Sequence, residues 1–309
     1  MDALWKLPEN YAHITANGYK AIYPHTPFML TQVLYRPEEV NLLEKNYANL
    51  SSFYGTYGLS MKTAITYAIL HEKKSGEIFA ILSSHWEPNV GVTTKYGLGK
   101  ALDTIYECEL IRMKQAEESC EIIEKVRKDY PTAHIIYGGD MNTIDFAILY
   151  ELIAALLPKF DSPELILPLA FKAVGSTAEV SPDFPGAVET FKNCSGLIST
   201  RAQAMATGVA VNDATTIENE AIPDVITNSG VPIVIDYSFY SPEMTLLSYE
   251  VMESEDFVNV SDHKAVKVEL EHYPRGQELR PVPVFPDDTS TDIYLPAAIY
   301  QGHKYPPKD

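Results

Sequence analysis

The segment from Asp103 to Pro131, DTIYECELIRMKQAEESCEIIEKVRKDYP, places Ile105, Cys108, Ile111, Arg112, Gln115, Ser119, Ile122, Ile123 and Val126 at helical spacing, and Pro131 ends it. Before it stands KTAITYAILHEKKSGEIFAILSSHW, a β-hairpin turning at Lys74-Ser75-Gly76. Directly after it comes HIIYGGD, an apolar and β-prone run. YKAIYP and FMLTQVLYRP read as earlier strands, VPIVIDYSFYS and KAVKVELE as later ones, and FAILYELIAALLPKF as a second helix apolar enough for a core. Strands, an intervening helix and strands again, with mixed connections, predict an α/β sandwich in which helices cover stacked sheets. Residues 161–230, with many Pro, Ser, Thr and Ala, read as a long loop region with short elements inside a domain at 1–272. The proline-bearing stretch 273–309 reads as a tail.

Composition narrows the classes of function. The 309 residues allow one large domain or two ordinary ones. No apolar run approaches the ~20 residues of a membrane helix, and MDALWKLPEN carries no basic-then-apolar signal pattern. A formal net charge of −18 disfavours wrapping of duplex DNA or an anionic membrane. It is compatible with an acidic cleft in which a divalent cation meets a phosphate. Cys108, Cys120 and Cys194 are odd in number and lack metal-site spacing, so all three read as free thiols.

Four stretches set polar groups against this apolar pattern. His85 closes IFAILSSH, Asp140 and Asn142 follow the glycines of HIIYGGDMN, Asp236 interrupts VPIVIDYSFYS, and Asp262-His263 precedes KAVKVELE. Taken singly, each is a cap or a satisfied core group. Asp, Asn and Thr suit an Asx turn, and Gly138-Gly139 lets the backbone turn sharply before them. In extended chain, however, Asp140 and Asn142 project to the same side. There a carboxylate can hold a cation or take a proton from water, and the amide can donate to a phosphate oxygen. Four such groups in one chain, each at the mouth of a buried sheet where loops collect functional residues, point to a single site.

In the order of these motifs the sequence resembles the endonuclease/exonuclease/phosphatase superfamily, the DNase I-like metal-dependent phosphoesterases. SSHW is similar to that family's Thr/Ser-His-Leu strand end, GGDMN to its Gly-Asp-x-Asn, IDYSFYS to its Ile-Asp-Tyr-Ile-Phe and SDHKAV to its Ser-Asp-His-x-Pro-Val. RMKQAEE is similar to its helical Arg-x-x-Gln-Ala, and VLYRPEEV to its Tyr-Arg/Asp strand. The resemblance spans residues 19–270 and implies a four-layered sandwich of two stacked mixed β-sheets flanked by helices. It also implies hydrolysis of a phosphodiester or phosphomonoester by activated water, with Mg²⁺ or Mn²⁺ as cofactor.

Roles follow by resemblance, residue by residue. Asp140 activates the water, Asn142 binds a phosphoryl oxygen, and His263 is oriented by Asp236. His85 attends the leaving group, and Asp262 joins Asp140 at the metal. Family members open with an Asn-bearing strand and a strand ending in Gln-Glu, whose Glu is a principal metal ligand. MDALWKLPENY resembles the segment directly after that motif, so both opening strands are expected upstream; neither Asp2 nor Glu9 stands at a strand end. With 24 Lys and Arg against 42 Asp and Glu and no basic cluster, a small phosphoester or lipid headgroup is favoured over nucleic acid. A nuclease of the same superfamily and a non-catalytic binding relative are the alternatives, and substrate choice is expected to reside in 161–230.

Overall fold

The hairpin, the long helix and the strand after it form the centre of a sheet. The computed structural model describes residues 14–22, 31–52, 63–89, 94–143, 166–212, 214, 216, 234–252 and 263–272. Within them the chain forms β1 (Lys20–Ile22), β2 (Val33–Tyr35), β3 (Val40–Asn49), β4 (Ala64–Glu72), β5 (Ile78–His85), α1 (Leu98–Asp129) and β6 (His134–Asp140). It continues through α2 (Ile166–Ala173), α3 (Gly186–Ser195), β7 (Ile198–Ser199), α4 (Thr200–Thr207), β8 (Asp236–Tyr240), β9 (Thr245–Val251) and β10 (Val266–Glu271). A six-stranded sheet runs in the order β3-β4-β5-β6-β8-β7, with β1-β2 and β9-β10 as antiparallel pairs beside it. Only β5 and β6 pair in parallel within the large sheet, because α1 carries the chain back between them.

Side chains alternate across this sheet. Ala80, Leu82, Ile135, Tyr137, Tyr237 and Phe239 face α1 and α3, where they meet Ala116, Ile123 and Phe191. Phe79, Ile81, Ile136 and Tyr240 face the other way, toward β1-β2 and β9-β10. With both faces covered, β4 is buried without a break from Ala64 to Leu70. That explains its nearly continuous apolar run. Phe191 is the central contact between helix and sheet, with ring centroids 4.5 Å from Tyr137, 4.9 Å from Phe239 and 5.9 Å from Trp86. A fully buried aromatic of this kind contributes roughly 1.5–3 kcal/mol.

The reading of three free thiols is corrected. Cys120 on α1 and Cys194 on α3 form a disulfide with Cα atoms 6.0 Å apart, and Cys108 remains a free, buried thiol. Spacing along the chain could not reveal this, because the two cysteines become neighbours only when α3 packs along α1. The helix also begins at Leu98, earlier than Asp103, and β3 and β9 are strands that the sequence reading did not identify. The described part of 161–230 holds α2, α3, β7 and α4. Residues 1–13, the expected helix at 146–160, Asp262 and the tail at 273–309 lie outside the described residues.

Candidate active site

The strand ends meet on one rung. His85 on β5 is in register with Asp140 on β6, and Asp140 is in register with Asp236 on β8. All three share the sheet face of Ile81, Ile136 and Tyr240, away from α1. His263, just before β10, closes the group. Its Nδ1 lies 2.9 and 3.1 Å from the two carboxylate oxygens of Asp236. Its Nε2 lies 3.8 Å from Asp140 Oδ2, and His85 Nε2 lies 3.6 Å from that same oxygen. Asp236 does not interrupt a strand; β8 begins at it.

Two local expectations are corrected. Gly138 and Gly139 do not turn the chain, since β6 runs straight through them to Asp140. Glycine is needed at 139 because its φ is +148° and a Cβ there would lie 1.8 Å from the Ser84 carbonyl oxygen. The missing side chain is what lets β6 close against β5 at the rung. Nor does Asn142 share an extended strand with Asp140. It adopts φ 51°, and its backbone N–H donates to Asp140 Oδ1 at 2.8 Å. This Asx turn swings the Asn142 side chain back to the site, where Nδ2 donates to the Trp86 carbonyl at 3.1 Å and lies 3.4 Å from His85 Nε2. The turn and the site are the same feature.

Beneath the rung, polar groups of α1 hold the loops that follow β5 and β6. Buried Arg112 donates to the Glu87 carbonyl at 2.8 Å, to Asn89 Oδ1 at 2.9 Å and to Glu109 Oε2 at 2.7 Å. Glu109 also accepts from Thr143 Oγ1 and from the Ala187 N–H, both at 2.7 Å. Gln115 accepts from the Glu87 N–H at 2.8 Å and donates to Thr63 Oγ1 at 3.0 Å and to the Ser51 carbonyl. The Arg-x-x-Gln-Ala motif was visible in the sequence, but its task of fixing the loops that follow β5 and β6 was not. Glu109, one helical turn before Arg112, was missed altogether; an acid on the buried face of a helix was the available signal.

Burial opposes charge at this site. It raises the Asp140 carboxyl to about 7, helped by the charge of Asp236 and opposed by His263, the Asn142 N–H and Arg112. Burial, followed by the nearby His263, lowers His85 to about 4, so His85 is neutral at physiological pH. Ligand atoms of Asp140, Asp236 and His263 lie within 4.8 Å of one another. The two carboxylates suit a hard divalent cation, and Asp140, whose ionisation burial opposes, would gain from one. His85, Asp140, Asn142, Asp236 and His263 are therefore brought together.

No family model matches the sequence, and no curated protein is similar enough to match. Among solved structures, the human Nocturnin catalytic domain is similar over 86% of this chain and 77% of its own length, at 13% identity and a TM-score of 0.51. More distant are an endonuclease/exonuclease/phosphatase of Bacteroides vulgatus (17% identity, 86% of this chain and 81% of that one, TM-score 0.48) and a mannosyl-6-phosphatase of Bacteroides thetaiotaomicron (16%, 82% and 77%, TM-score 0.47). Among the described residues, no helix is long and apolar enough to cross a membrane. The mixed sheet, its helices and the likeness to the Nocturnin domain show that the chain has a DNase I-like α/β fold.

Proposed function

We propose that the chain is a divalent-metal-dependent phosphoester hydrolase that attacks a phosphodiester or phosphomonoester with an activated water. The observation that carries this is the Asp236–His263 pair standing beside the Asp140 carboxylate on the rung shared with His85. The Nocturnin domain of like fold holds a bound sulfate, an ion with the shape and charge of a phosphoryl group.

The positions support the following roles. Asp236 accepts a hydrogen bond from His263 Nδ1, which fixes the ring and turns Nε2 toward Asp140. From there His263 contacts a phosphoryl oxygen or passes a proton. Asp140, on the rung between His85 and Asp236, stands where it can orient the attacking water or take its proton. Asn142, fixed by its turn, offers its amide to a phosphoryl oxygen. His85, lowered to about 4, is a poor proton donor at pH 7 and serves the leaving oxygen as a neutral hydrogen-bonding group. Mg²⁺ or Mn²⁺ would be held by Asp140, with Asp262 a second ligand on the family resemblance alone, and would supply counter-charge to the phosphoryl oxygens. The acidic balance, 24 Lys and Arg against 42 Asp and Glu, favours a small phosphoester or lipid headgroup over nucleic acid. The test is hydrolysis of bis(4-nitrophenyl) phosphate with Mg²⁺ or Mn²⁺. EDTA should abolish turnover, and equal turnover in EDTA would overturn the metal-dependent mechanism.

A further inference from the structure

Asp236 and His263 reach each other from separate segments: β8 belongs to the six-stranded sheet, whereas the strand after His263 pairs with β9. Thr216 touches both. Thr216 is fully buried. Its Oγ1 accepts from the backbone N–H of Ile235 at 3.1 Å and of Asp236 at 3.3 Å. Its carbonyl accepts from the N–H of Lys264, the residue after His263, at 2.8 Å. The Ile235 carbonyl in turn accepts from the Met141 N–H at 2.8 Å, next to Asp140. One residue thus binds main chain at each half of the carboxylate-imidazole pair, and through Ile235 it reaches the third group on the rung.

We propose that Thr216 is the positioning residue of the Asp236–His263 pair, a role that deepens the hydrolase reading and rests on it. A hydroxyl oxygen has two lone pairs, and the two N–H donors occupy both. Valine has nearly the same shape but no acceptor, so Thr216→Val would leave two N–H groups facing a methyl in a buried place. Serine keeps the acceptor. The backbone at Asp236 would shift in the valine variant, and the ring of His263, held at its Nδ1 by that carboxylate, would turn away from Asp140. Catalytic groups misplaced by ~1 Å lose on the order of 10²-fold in rate.

The test combines amide hydrogen exchange with kinetics. In the wild type, the amides of Ile235, Asp236 and Lys264 should be protected to the same degree. Thr216→Val should speed exchange at Ile235 and Asp236 by at least about tenfold, and Thr216→Ser should not. Turnover of bis(4-nitrophenyl) phosphate should fall in kcat by about 10–10² with little change in KM, be restored by serine, and fall no further when Thr216→Val is added to His263→Ala. Losses that multiply in the double variant would refute positioning through His263. A wild type without turnover refutes the hydrolase reading and leaves the tie to the exchange rates. A Lys264 amide exchanging far faster than Asp236 in the wild type, or unchanged exchange in Thr216→Val, overturns the tie itself.

Discussion

Asp140→Asn should make the protein more stable at neutral and alkaline pH in the presence of EDTA. The carboxyl gives up its proton near 3.8 in an unfolded chain and near 7 in the folded one. Between those values the folded state holds a proton that the unfolded state has lost, so the stability this carboxyl contributes is full below about pH 4 and drains away as pH rises through 7. At ~1.4 kcal/mol per pH unit the loss approaches about 4 kcal/mol. His85 works in the opposite sense. Its folded value near 4 lies below the ordinary 6.5, so its contribution grows as pH rises through the same window, by about 3 kcal/mol. In the wild type the two largely cancel. The asparagine variant removes one of them and keeps the Oδ1 that accepts the Asn142 N–H, so the turn survives. Urea unfolding in EDTA should show the variant close to wild type at pH 4 and more stable by up to about 4 kcal/mol at pH 8. Mg²⁺ should narrow that gap by binding the wild type. A variant less stable than wild type at pH 8, or equally stabilised at both pH values, would refute the reasoning.

Two further outcomes follow from packing. The Cys120–Cys194 disulfide closes a loop of 74 residues, so Cys120→Ser or reduction should cost about 4 kcal/mol, read as a lower melting temperature; equal melting with and without reductant would count against the bond. Gly139→Ala must displace β6 from β5, because its Cβ would sit 1.8 Å from the Ser84 oxygen. Hydrolysis should be lost with far-ultraviolet dichroism largely kept, and an active Gly139→Ala protein would show that the rung tolerates a wider strand spacing.

The β4-β5 hairpin, α1 and β6 were legible because apolar patterning and turn chemistry act locally, and each matches its sequence signal. β3 was not, because VNLLEKNYAN is only partly buried at the sheet edge and shows no clean alternation. Every described residue assigned to the site reached it. Their common rung was not legible, because register is set by how β5, β6 and β8 pack rather than by any one motif. Gly138-Gly139 was misread for the same reason. The pair looks like a turn until the neighbouring strand is in place, and only then does position 139 prove to be a close approach. The disulfide and Thr216 depend wholly on tertiary contact: Thr216 is one threonine in a polar stretch, and nothing local marks it.

The most direct measurement is the steady-state hydrolysis of bis(4-nitrophenyl) phosphate with Mg²⁺ by the wild type, His263→Ala and Asp236→Asn, with thermal unfolding recorded on each. Both side chains are partly exposed, at 17% and 20%, so the melting temperatures should stay close to wild type. His263→Ala should lose about 10²–10⁴ in turnover, and Asp236→Asn somewhat less, since it disturbs the imidazole but leaves it in place. A His263→Ala protein that folds normally and keeps near wild-type turnover would contradict the assignment of this cluster as the hydrolytic site.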